Sequence, residues 1–103
     1  MLKSKEFTSS EIKQFHSIII KNIKQIRKEK HITQLDLALS IGHKSTSTIG
    51  KIEASLENKH YNIEQLYKIS KVLEVNICEF FITPPFSFKN GDGFWILSLL
   101  SKL

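Results

Sequence analysis

Residues that staple, kink or punctuate a chain are scarce in this sequence: its 103 residues include one cysteine, two prolines and four glycines. The lone thiol, Cys78, excludes an intrachain disulfide, so the fold must be held by packing. Four histidines, His16, His31, His43 and His60, are scattered without the paired-ligand spacing of a zinc site. Long apolar runs are missing as well. The longest, 18–20 and 94–97, fall far short of the roughly 20 residues that cross a bilayer, and the N-terminus has no apolar signal core. A cytoplasmic protein without a membrane partner is expected. No Gly-rich phosphate loop, HExxH, GxSxG or clustered carboxylate pair occurs, which argues against an enzyme and leaves no cofactor to expect. Arginine is nearly absent too, since fourteen of the fifteen basic residues are lysine and the other is Arg27.

Hydrophobic residues at 41% and charged residues at 24% match an ordinary globular chain, so neither a disordered acidic tail nor a collagen-like repeat fits. At this length a single core is expected. The net charge of +5 is unevenly placed: residues 1–60 hold eleven basic against six acidic residues, and residues 61–103 hold four of each. The whole excess therefore lies in the first 60 residues. A basic excess confined to one region suits a polyanion-binding face, although lysine-rich solubility would give the same total.

No window between residues 8 and 83 alternates apolar and polar side chains as a half-buried strand would, and the periodicity is helical throughout. Thr8 with Glu11 forms a capping box that starts a first helix, ending near Lys30, with Ile12, Phe15, Ile19, Ile23 and Ile26 as one buried stripe. Thr33 with Asp36 starts a second, short helix whose Leu37, Ala38 and Ile41 face inward and which stops at Gly42. Ser45 is the candidate N-cap of a third, with Ile49 and Ile52 inward. Residues 54–61 read as a loop. Asn62 with Gln65 caps a fourth helix carrying Ile63, Leu66, Tyr67, Ile69, Val72 and Leu73, ending near Glu74. Asn76 with Glu79 caps a fifth that Pro84 and Pro85 terminate, with Cys78 expected as a small buried residue.

The segment from Ile26 to Gly42, Ile-Arg-Lys-Glu-Lys-His-Ile-Thr-Gln-Leu-Asp-Leu-Ala-Leu-Ser-Ile-Gly, followed by Ile49-Gly50-Lys51-Ile52-Glu53, resembles the helix-turn-helix of phage repressors and Cro, the Xre family. The likeness covers roughly residues 15–83. It implies an all-α, five-helix, lambda-repressor-like domain over 8–83, here with an N-terminally extended first helix. A connector and apolar tail would follow over 84–103. The turn after Gly42 is one residue longer than the family's commonest form, and Ser55 stands where a glycine is usual.

For function, the resemblance implies a regulator whose second helix braces a third lying in the major groove of double-stranded DNA, the protein acting as a homodimer on a palindromic operator. Thr46, Ser47, Thr48 and Lys51 would then meet base edges, the hydroxyls donating or accepting and the lysine favouring guanine acceptors. Gln34, Lys44, Ser45, Lys59 and His60 would meet phosphates, or else stand as solvated surface groups. Arg27 and Glu53 are expected as a structural ion pair, since a guanidinium fork satisfies a buried carboxylate as lysine cannot. His43 is expected to be an exposed turn residue. Leu35 and Leu39 on the second helix, and the apolar segment Phe94–Leu103, leave uncovered surface that points to contact, within the chain, across a dimer or with another protein partner such as a toxin.

Overall fold

The computed structural model describes residues 6–82, and every regular element within them is helical. Four α-helices, α1 (Ser9–Glu29), α2 (Gln34–Ser40), α3 (Ser47–Glu53) and α4 (Ile63–Leu73), are followed by a single 3₁₀ turn, Ile77–Phe81. The connector and tail expected over 84–103, with Pro84 and Pro85, lie outside the described residues.

Local chemistry sets the boundaries. At the start of α1 the Glu11 amide donates to Thr8 Oγ1 (3.1 Å) and the Thr8 amide to Glu11 Oε2 (3.0 Å), a reciprocal capping box that α4 repeats with Asn62 and Gln65. Thr33 caps α2 by accepting from the Asp36 amide at 3.0 Å. The start of α3 differs from expectation. Thr46, not Ser45, occupies the N-cap position, already in helical φ/ψ and with no side-chain cap bond, while Ser45 Oγ accepts from the Ser47 amide at 3.3 Å in the turn before it. The expected fifth α-helix is a 3₁₀ turn, because the Glu79 amide bonds the Asn76 carbonyl three residues back (2.9 Å) while Asn76 Oδ1 takes the Cys78 amide.

All four helices close in the same way. An amide one or two residues past each cap bonds back five residues: Ile32 to Arg27, His43 to Ala38, Leu56 to Lys51 and Val75 to Ser70. This closure needs one left-handed residue, and the four are His31, Gly42, Ser55 and Glu74, so Ser55 is left-handed at the position where the resemblance implies glycine.

Ile19, Ile20 and Ile23 of α1, Leu37, Ala38 and Ile41, Ile49 and Ile52, Leu66, Ile69 and Leu73, and Phe80 form one core. Each of these larger side chains contributes about 1.5–3 kcal/mol by leaving water. Four expectations change. Ile12 and Phe15 are half-exposed, Ile12 lining a groove that faces the loop after α3 and Phe15 having the Phe81 ring 6.2 Å away. On α4, Ile63 and Tyr67 are exposed while Leu66, Ile69 and Leu73 fill the inner face. Cys78 is exposed, Phe80 taking the buried position in its turn, and Tyr61, within the expected loop, is buried in the core.

Candidate nucleic-acid interface

Two buried residues on α3 decide which of its side chains face out. Ile49 and Ile52 have essentially no exposure, and on a 3.6-residue period Ser47 and Lys51, one turn apart, fall opposite them, with Thr48 and Gly50 on the flanks. Thr46 sits half-buried at the helix start, and Lys44 and Ser45 are exposed in the turn that leads into it. The outward surface is a short row of hydroxyls and one ammonium.

The inward end of α3 is fixed by polar contacts. Arg27 Nε donates to Glu53 Oε2 at 2.9 Å and its NH2 to Oε1 at 2.8 Å, a bidentate fork with side-chain exposures of 8% and 2%. The remaining guanidinium nitrogen donates to the Ile32 carbonyl at 2.7 Å, which ties the α1–α2 turn to the pair. Gln34, the first residue of α2, donates from Nε2 to Glu53 Oε1 at 2.9 Å. One N–H of that amide is thus committed inside the protein and one stays available. A carboxylate this buried would be costly alone, but here three donors satisfy it and α1, α2 and α3 are locked in one orientation. Tyr61 lies in the same field: burial, and secondarily the Glu53 charge, push its phenol well above the ordinary range, with Arg27 opposing.

A family model described as helix-turn-helix matches residues 23–80, more than half of the chain. The chain belongs to this family, of the Xre and lambda-repressor type. No curated protein and no solved structure matches it. Helix-turn-helix membership makes the chain a DNA-binding regulator, and the Arg27–Glu53–Gln34 network ties α2 to α3 within it.

Around the recognition helix, contacts invisible in the sequence appear. Glu57, in the loop after α3, pairs with Lys51 at 3.4 Å and with Lys59 at 4.0 Å, so one carboxylate engages both a candidate base contact and a candidate phosphate contact. The only sequence signal for it is that Glu57 lies between those two lysines, two residues from Lys59. His60 is drawn towards α1: its ring stacks on His16 with centroids 3.7 Å apart and planes 7° apart. Desolvation, and then the neighbouring His60, hold the His16 imidazole below its ordinary pKa. The two rings line a groove of about 550 Å³ together with Lys13 and Lys59. His43 is half-buried rather than exposed, with Nδ1 enclosed and without a protein partner among the described residues. Those residues bring no three His, Cys, Asp or Glu side chains together, and none of their helices is long and apolar enough to cross a membrane.

Proposed function

We propose that this protein is a sequence-specific, cytoplasmic transcriptional regulator of the Xre/Cro repressor type that binds a palindromic operator as a homodimer, without catalysis and without a cofactor. The observation that carries the reading is the outward pair Ser47 and Lys51, with Thr48 on their flank, on a helix whose inner face is buried and whose last residue, Glu53, is held by Arg27 and Gln34. Thr46, Ser47, Thr48 and Lys51 meet base edges, where hydroxyls adapt to donors and acceptors and a threonine methyl packs on thymine. Lys44, Ser45, Lys59 and His60 take the flanking phosphates, and Gln34 adds its second amide N–H. A symmetric dimer presents two copies of α3 to one face of the duplex, so the half-sites lie about one helical turn apart. Selecting bound duplexes from a random pool tests this. Enrichment of a two-fold symmetric site with half-site centres about 10 base pairs apart is expected, and a pool that stays random at low and moderate salt refutes sequence recognition.

A second reading, an antitoxin-like module that serves protein contact through its apolar C-terminal segment, is favoured by one observation. Lys51, the only basic outward residue of α3, is already paired with Glu57. Co-purification of one stoichiometric small protein from the native host, together with a random selected pool, would favour it over the operator reading.

A further inference from the structure

The N-terminal half of α1 carries apolar side chains that the described residues leave about half exposed. Ile12 and Phe15 are 51% and 52% exposed, and Phe81, at the end of the 3₁₀ turn, is 37% exposed with its ring 6.2 Å from that of Phe15. Ile12 and Phe15 lead at helical spacing to the buried Ile19, so this strip extends the core stripe past the edge of the core. The chain is delivered beside it. Asn22 Nδ2, two turns along α1 from Phe15, donates to the carbonyls of Phe80 (2.9 Å) and Ile82 (2.8 Å), pinning the end of the described chain against α1.

The downstream sequence complements the strip. Residues 83–93 contain two prolines and two glycines, and residues 94–103, Phe-Trp-Ile-Leu-Ser-Leu-Leu-Ser-Lys-Leu, are apolar at seven of ten positions. We infer that residues 94–103 dock, in the same chain, on the strip formed by Ile12, Phe15 and Phe81. Reach is sufficient: eleven residues extend up to about 36 Å, whereas α1 from Asn22 back to Ser9 is only about 20 Å long. Occupancy by the chain's own segment outcompetes a second copy, because a tether of this length holds the segment at an effective concentration of about millimolar, well above the protein concentrations at which a free copy would have to compete. Apolar surface on both sides supplies the driving force, since it would otherwise face water.

Trp95 is the only tryptophan in the sequence and reports directly on the segment. In the full chain, acrylamide quenching of its fluorescence is expected to be several-fold weaker than in denaturant and unchanged across a wide dilution series. The double substitution Ile12→Ser and Phe15→Ser should restore strong quenching while helical circular dichroism is retained, both side chains being half-exposed. Leu35→Ser with Leu39→Ser, on α2, should leave quenching low. Denatured-level quenching in the native wild-type chain overturns the inference without recourse to a variant. So does shielding that survives the α1 substitutions, and shielding that appears only as concentration rises overturns it by identifying a second copy as the occupant.

Discussion

A guanidinium at position 27 is used for its geometry as much as its charge. Three of its nitrogens reach three acceptors on two elements, which the single ammonium of lysine cannot do. Arg27→Ala should cost roughly 3–5 kcal/mol, the range for stranding one member of a buried pair, and Arg27→Lys an intermediate amount; denaturant midpoints measure both. A loss under about 1 kcal/mol for Arg27→Ala would place the pair at the surface. This role was legible from the sequence because one arginine stood out among lysines at the position the family pairs with Glu53. Gln34 was legible only in part: its place at the start of α2 marks it, but its bond to Glu53 joins residues nineteen apart and leaves no local signature. Glu57 is a second such case. Since its single negative charge sits beside both Lys51 and Lys59 in the free protein, Glu57→Gln should raise affinity for any duplex by a few-fold, read by titration at fixed salt; unchanged affinity would mean that the two lysines do not meet DNA.

The helices were visible element by element because capping boxes and apolar periods are local. Their ends were less so, since three of the four closing residues, His31, Ser55 and Glu74, hold left-handed conformations that no composition rule assigns to them. Such a residue costs about 1–2 kcal/mol unless it is glycine. Glu74→Gly should therefore raise stability, read from the denaturant midpoint, by up to about 1 kcal/mol, while Gly42→Ala, at φ +94 with open space around the added Cβ, should lower it through the backbone alone. The 3₁₀ winding of the fifth helix and the exposure of Cys78 are not legible in the sequence, because a five-residue segment has no periodicity to test and the bond from Glu79 to Asn76 sets a tighter winding. The His16–His60 stack joins α1 to the loop after α3, and the desolvation of His16 there, with His60 adding to it, makes stability depend on pH. His16 titrates below its ordinary 6.5 in the folded chain, so the unfolded chain binds the proton more readily. Stability is complete above that value and declines as pH falls below it. Melting temperatures between about pH 7.5 and 5.5 should fall for the wild type and fall less for His16→Phe, which keeps a stacking ring but no charge; identical slopes would exclude the stack as the cause.

At the scale of the molecule, the basic excess, the anchored α2–α3 pair and the family membership converge on DNA. Fold class was readable because every level of pattern agreed. The exposed strip on α1 was not, because a periodic apolar stripe says which residues share a face and not where the covering elements end. In the proposed function, DNA recognition rests on two separable contributions. Hydroxyls at the head of α3 carry pattern without net charge, whereas lysines in the flanking loops carry charge and release counterions from any duplex. Binding of the wild type and two variant classes to a selected palindrome and its scrambled counterpart, across a salt series, separates them. Thr46→Ala and Ser47→Ala should each reduce the preference for the palindrome by up to about 1–3 kcal/mol at unchanged salt slope, while Lys44→Ala and Lys59→Ala should weaken both duplexes alike and lower the slope by about one. Equal losses in both classes, or a wild type that never distinguishes the two duplexes, would contradict base reading by α3.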